Sequence, residues 1–345
     1  MLTKLLPANP TSIAAAAELL QQGEVVGFPT ETVYGLGADG LNQEAVLKIF
    51  VAKERPADNP LILHIAEFDS IYDIVREVTP SALALARAFW PGPLTVLLPA
   101  RPHIPEAVRP GLDTVTVRMP AHPVAASLIR MAGRPIAAPS ANRSGRPSPT
   151  TAQDVMLDMD GRIPLILDGG ASGVGLESTV VDCMGAVPKI LRPGGVTPEM
   201  IESVCGDVQV DISALAPLPA GVKAASPGML HRHYAPRARL LVIEGDPDAQ
   251  LRTMAARYDE EAAAGGSPIL VIAAEWIDKM DGRRCIPWGN ADDAAAMAES
   301  LFSTLRQIDR ENATLGICQG IAPEGMGLAV MNRLLRAAAH HVEKV

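Results

Sequence analysis

Lys53, Arg55, Arg118, Arg143 and Arg192 are the side chains with the most chemistry to offer. Taken singly, each would more often be a solvated surface charge. Together they are harder to dismiss, because all five fall at expected strand ends or in loops framed by proline and glycine. Lys53 and Arg55 share the stretch Lys53-Glu54-Arg55-Pro56-Ala57-Asp58-Asn59-Pro60, in which two prolines stiffen the loop that carries two basic heads. The formal net charge is −9, and a cationic pocket inside an anionic protein suits a small polyanion such as a nucleoside triphosphate. Glu31 follows an expected strand, as a candidate base or as an acid paired with Lys53 or Arg55.

Other constellations carry less. Gly35-Leu36-Gly37-Ala38-Asp39-Gly40 satisfies G-x-G-x-x-G, but the glycines neither follow their strand directly nor open a helix. It reads as a glycine-rich turn. No Walker A pattern occurs, so a triphosphate must be held in another way. His231-x-His233 lacks a third metal ligand at suitable spacing, and His340-His341 suits the C-terminal end of a helix. Cys183, Cys205, Cys285 and Cys318 lie far apart, as reduced thiols rather than a disulfide framework or a zinc site.

The elements that must position these residues follow from the apolar pattern. Thr11 or Ser12 can cap a helix to Gly23; Glu24–Pro29 is a strand, Gln43–Ala52 a helix, and Leu61–Ile65 a strand. Ser81–Trp90 and Pro123–Met131 read as helices. Leu94–Leu98, Thr114–Arg118, Pro135–Ala138, Leu165–Leu167, Ser178–Asp182 and Lys189–Leu191 read as strands. Their irregular mixing with helices predicts an α/β domain with a mixed sheet over residues 1–212. Residues 213–238 read as an interdomain linker, rich in proline and glycine. Residues 239–345 alternate strand and helix as a smaller doubly wound α/β domain. At 345 residues with 48% hydrophobic content the chain can bury two cores. No signal peptide or membrane-length apolar run is evident, so a cytoplasmic enzyme-sized protein is the expectation. Neither half is basic, which weighs against nucleic-acid binding by general electrostatics.

A series of motifs, in chain order, then narrows the reading. They are Pro29-Thr30-Glu31-Thr32-Val33-Tyr34-Gly35-Leu36, Lys53-x-Arg55-Pro56-x-x-Asn59-Pro60-Leu61, Trp90-Pro91-Gly92-Pro93-Leu94-Thr95 and Val117-Arg118-x-Pro120. Pro139-Ser140-Ala141-Asn142-x-Ser144-Gly145, Glu177–Asp182, Leu191-Arg192-Pro193-Gly194 and Gly327–Leu334 continue the series. With these the sequence resembles the threonylcarbamoyl-AMP synthases in their two-domain form. One departure is Leu230 and His231, where a more basic or aromatic pair is expected.

The resemblance implies a YrdC-like twisted mixed sheet with a central cavity, followed by a Rossmann-like C-terminal domain. It implies condensation of L-threonine, bicarbonate and ATP, with magnesium, to threonylcarbamoyl-AMP and pyrophosphate. The product would serve the machinery that transfers threonylcarbamoyl to tRNA. By motif, threonine would lie against Thr32, His64, Arg118, Ala138 and Ser178. ATP would lie against Lys53, Arg55, Asn59, Thr114, Ser140, Ser148, Arg192 and Tyr234. Lys53 and Arg55 would contribute most to catalysis, with no covalent nucleophile and no metal ligand among the side chains. Tyr234, in the segment Ser226–Pro236, would belong to a lid hinged at Gly221 and Gly228. Alternatives are a double-stranded RNA or tRNA binder using the same cavity, and a carbamoyltransferase-like maturation module. The acidic balance weighs against the first, and the absence of acylphosphatase-like and zinc-finger segments against the second.

Overall fold

In the computed structural model, which describes residues 2–212 and 234–345, the chain divides into two units. Among the described residues the first holds 2–144 and 148–212, and the second holds Gly145–Pro147 and 234–345. Gly221, Gly228, Leu230 and His231, with the rest of 213–233, lie outside the described residues. Residues 234–238, read as linker, group with the second unit.

The first unit runs β1 (Lys4–Pro7), α1 (Pro10–Gln21), β2 (Val26–Phe28), β3 (Gly35–Asp39), α2 (Gln43–Lys53), β4 (Ile62–His64), α3 (Ile71–Ile74) and α4 (Pro80–Phe89). It continues with β5 (Leu94–Pro99), β6 (Thr114–Arg118), α5 (Pro123–Ala132), β7 (Ile136–Ala137), α6 (Ala152–Met159) and β8 (Leu165–Asp168). β9 (Thr179–Asp182), β10 (Lys189–Arg192), α7 (Pro198–Cys205) and β11 (Gln209–Val210) complete it. The strands form one mixed sheet in the order β1-β8-β2-β3-β7-β4-β6-β5-β9-β10-β11. One apolar layer sets Ala16, Leu20, Leu128 and Ile129 of α1 and α5 against Val26, Phe28 and Leu167. A larger one sets Ile49, Phe50 and Leu85 of α2 and α4 against Leu36, Leu63, Val96 and Val117.

Two expectations for the first unit need correction. α1 is capped by Asn9, not Thr11 or Ser12: the Asn9 side chain accepts from the backbone of both, while Ser12 reaches back to the Asn9 N–H. Pro10 then takes the first helical position, where a missing N–H costs nothing. The glycine-rich stretch is not a turn but the buried strand β3, antiparallel to β2 with Val26 opposite Gly37 and Phe28 opposite Gly35. Its glycines make room for a ring. A Cβ on Gly37 would stand 2.9 Å from Phe28 and 2.8 Å from Ile136. Packing, not phosphate binding, explains the G-x-G.

The second unit holds β12 (Arg239–Glu244), α8 (Pro247–Ala263), β13 (Pro268–Ile272), β14 (Cys285–Pro287), α9 (Ala294–Arg310), β15 (Leu315–Gln319), α10 (Met326–Ala337) and β16 (Val342–Lys344). All ladders in its sheet, ordered β14-β13-β15-β12-β16, are parallel. The crossover through α8 runs one way along the sheet, and those through α9 and α10 run the other. Right-handed connections therefore put helices on both faces, a doubly wound sheet as expected. α10 ends at Ala337, before His340-His341, so that pair does not close the helix as expected.

Candidate active site

Four neighbouring ladders line up His64, Arg118, Thr95, Val180 and Arg192 across β4, β6, β5, β9 and β10. Residues in such a row share one face of the sheet. Arg192 enters the row through a β-bulge. The β9–β10 pairing slips between Ile190 and Arg192, so Arg192 rather than Leu191 lies opposite Val180.

Arg118 is 4% exposed and three of its five N–H groups are used within the protein. Nε donates to the Gly92 carbonyl at 3.3 Å, Nη1 to Thr32 Oγ1 at 2.9 Å, and Nη2 to Glu31 Oε1 at 2.7 Å. One N–H on each Nη is left without a partner among the described residues, the fork that a carboxylate fits. Glu31 thus pairs with Arg118 rather than with Lys53 or Arg55. Burial pushes its pKa up, but the charge and hydrogen bond of Arg118, with backbone donors at Glu31 and Ala121, hold it below the usual carboxylate range.

Thr32 is oriented too. Thr30 Oγ1 donates its proton to the Val33 carbonyl at 2.6 Å, so in the 2.8 Å contact between the two hydroxyls Thr32 must be the donor. Thr32 therefore presents a lone pair to a ligand, not a proton. His64 is buried, with Nδ1 donating to the Ile62 carbonyl at 3.2 Å. Burial, then the Arg118 charge, bring its pKa down to about 3. Its imidazole is therefore neutral under working conditions, with Nε2 as an acceptor. Ring-nitrogen NMR, with the signal assigned through His64→Gln, should show no inflection above pH 5; titration near pH 6.5 would contradict the geometry. The associated stability is full above pH 6.5 and falls away as pH drops toward 3, and Glu31 acts in the same direction.

Ser178 sits beside the row. Thr95 Oγ1 lies 2.7 Å from its hydroxyl. Arg192 donates to its carbonyl from Nε at 3.1 Å and Nη2 at 3.0 Å, and to its Oγ at 3.2 Å. A Cβ on Gly194 would stand 2.4 Å from the Thr179 nitrogen, so only glycine lets this loop close on residues 177–179. Arg192, expected against the nucleotide, therefore also grips a residue expected against threonine. Thr95 carried no sequence signal beyond its motif.

Lys53 and Arg55 do not wait free for an anion. Lys53, 2% exposed, donates to the carbonyls of Ser140 and, at 2.5 Å, Asn142. Arg55 Nη2 donates to the carbonyls of Asn59 and Pro60, each at 3.2 Å. Asn59 is buried, and its Oδ1 meets no donor among the described residues. Ser140 Oγ donates to Asn142 Oδ1, and Ser148 Oγ to Glu177 Oε1, both at 2.5 Å. Both hydroxyls have spent their proton, and neither Asn142 nor Glu177 was named as a site residue from sequence.

One assignment changes. Arg143 pairs with Glu54, which also binds Arg162 at 2.7 Å, so Arg143 is committed to an ion pair at the end of α2. Thr114 shares the face of β6 with Arg118 but opens the strand four residues earlier, roughly 13 Å away at the usual rise. Tyr234 belongs to the second unit, buried with its ring 5.2 Å from Phe302 and the Arg333 guanidinium 5.9 Å away. Ala138 is buried, with its N–H donated to the Ile62 carbonyl at 3.0 Å. A separate cavity of about 400 Å³, lined by Ile65, Ile74, Ile129, Glu67 and Arg130 among others, includes none of these site residues. Among the described residues no group of three or more His, Cys, Asp or Glu side chains could hold a metal ion. Among the same residues no helix is long and apolar enough to cross a membrane.

The chain is similar to known proteins along its whole length. Residues 18–194 match the family described as "Telomere recombination", and residues 196–339 match "Threonylcarbamoyl-AMP synthase, C-terminal domain". A threonylcarbamoyl-AMP synthase of Pyrococcus abyssi is 44% identical over 336 residues, 96% of each chain. One from Bacillus subtilis is 44% identical over 346 residues, 99% of this chain and 96% of the relative. The crystal structure of P. abyssi Sua5 complexed with L-threonine is similar over 100% of both chains, with a TM-score of 0.94 at 41% identity. With both halves matched in order and the fold shared along the whole length, the chain belongs to the threonylcarbamoyl-AMP synthase family.

Proposed function

We propose that this chain is a nucleotidyltransferase that condenses L-threonine, bicarbonate and ATP to threonylcarbamoyl-AMP with release of pyrophosphate, acting in the cytoplasm to supply threonylcarbamoyl for tRNA. The observation that carries the reading is Arg118: a buried guanidinium with one N–H on each Nη left over among the described residues, next to acceptors at Thr32 and His64. That set suits an α-carboxylate beside an ammonium and a hydroxyl, which is what threonine offers. Ala138 and Ser178 complete its surroundings.

The chemistry needs positioning rather than a covalent nucleophile. Threonine's amine takes up CO₂ as a carbamate, a carbamate oxygen attacks the α-phosphorus of ATP, and pyrophosphate leaves. Lys53, Arg55, Asn59, Thr114, Ser140, Ser148 and Arg192 are assigned to the nucleotide. Ser140 and Ser148 present lone pairs in this arrangement, so a ribose hydroxyl or the base amine suits them better than a phosphate oxygen. The positive charge of Lys53 and Arg55 is the better match for phosphate. The described side chains form no metal cage, so magnesium is assigned to the nucleotide's own phosphates, and no step is routed through it.

The test is pyrophosphate release by the purified chain. Release should require ATP, L-threonine and bicarbonate together, and a threonylcarbamoyl-adenylate should appear by mass spectrometry. Release that ignores threonine would overturn the assignment.

A further inference from the structure

Arg118 is not a lone cation. Glu31 meets it at 2.7 Å with only 16% of its side chain exposed, so two opposite charges are removed from water together. A buried ion pair of this kind is rarely worth its desolvation in stability alone. Nor does recognition of a carboxylate require Glu31, since an arginine without it would attract one more strongly. The reaction proposed above explains what that stronger attraction would do. Bicarbonate, ATP and pyrophosphate are all anions, and an uncompensated arginine would bind them at the place meant for the amino acid. Threonine, in contrast, is a zwitterion with no net charge at neutral pH.

We propose that Glu31 determines specificity: by neutralising Arg118 it makes the threonine subsite selective for a zwitterionic amino acid and indifferent to simple anions. This rests on the synthase reading. The neighbourhood supports a zero local charge. The charges that act most on buried His64 are Arg118 and Glu31, in opposite directions, and His64 itself is neutral. Glu31 is held in its carboxylate form by its partner. Rejection of competitors by mismatched charge is a common source of specificity where attraction alone cannot discriminate.

A purely structural role would need only an acceptor for Arg118 Nη2. Glu31→Gln keeps that acceptor and the side-chain shape but removes the charge, so it separates the two roles. The experiment is calorimetric titration of the full chain with L-threonine and with 3-hydroxybutyrate, which is threonine with hydrogen in place of the ammonium group. The parent should prefer threonine strongly. In Glu31→Gln the preference should shrink by about tenfold or more, with 3-hydroxybutyrate gaining affinity, as removal of one charge near a second predicts. Glu31→Asp, which keeps the charge, should retain the parent's preference. An unchanged preference in Glu31→Gln, or threonine binding lost without gain for 3-hydroxybutyrate, overturns the proposal. Should the glutamine variant fail to fold, bicarbonate raised past saturation against the parent decides it. A constant KM for threonine supports the neutral subsite, and a competitive rise overturns it. A parent that binds no threonine would instead overturn the synthase reading itself.

Discussion

Arg118→Ala is expected to weaken threonine binding on the order of a hundredfold or more, while the KM for ATP moves by less than about threefold. It should also destabilise the fold by about 3–5 kcal/mol, because Glu31 would be left as a buried carboxylate without its cation. The two effects separate in a double variant. Arg118→Ala with Glu31→Gln should recover part of the stability and none of the threonine affinity, since only the first depends on the stranded charge. Arg118→Lys should fall well short of the parent in affinity, because an ammonium cannot hold Gly92, Thr32 and Glu31 while offering a planar fork to a ligand. Chemical denaturation and calorimetry measure both. Equal loss of affinity for threonine and ATP would remove Arg118 from the amino-acid subsite.

Lys53→Met carries the second large effect. Its ammonium joins the end of α2 to the Ser140–Asn142 loop, and the Ser144 N–H donates back to the Lys53 carbonyl at 2.9 Å. Methionine fills much of the same volume but leaves two carbonyls without this donor, at about 1–3 kcal/mol each. Turnover should fall on the order of a hundredfold or more, as for loss of a charge preorganised toward phosphate. The KM for ATP should rise, and that for threonine should stay within about threefold. Arginine should not rescue it, since the pocket is built for a compact head with fixed backbone partners. Steady-state kinetics at saturating threonine tests this. A variant with unchanged ATP affinity and turnover would reduce Lys53 to a structural tie.

Much of this was legible in the sequence where local pattern and final environment agree. β6 is an alternating strand and was read to the residue, and the doubly wound second unit follows from its regular alternation of elements. β3 was misread because Gly-Leu-Gly has poor strand propensity, while pairing with β2 on one side and β7 on the other overrides it. β1 was missed because it is a short strand whose partner, β8, begins at Leu165. α6 was missed because buried Asp154 and Asp158 interrupt its apolar stripe. At the site, residue types were readable but partners were not. Glu31 and Thr32 reach Arg118 across 87 and 86 residues, and no local rule pairs them. The bulge that turns Arg192 into the row leaves no mark on composition or periodicity.

The row from His64 to Arg192 also bears on how the protein is made. Two of its four ladders, β4–β6 and β5–β9, join strands distant in sequence, and β1 and β2 both wait for β8. A sheet so dominated by long-range pairing has high contact order and folds slowly. A chain emerging from the ribosome has no complete site until β10 is out, so partly synthesised protein exposes strand edges without any ligand to hold them closed. Once the sheet is whole, a substrate that binds across the row acts on the native state alone and shifts the folding equilibrium by mass action. In a cell, the supply of substrate would then influence how much of this protein survives chaperone and protease surveillance.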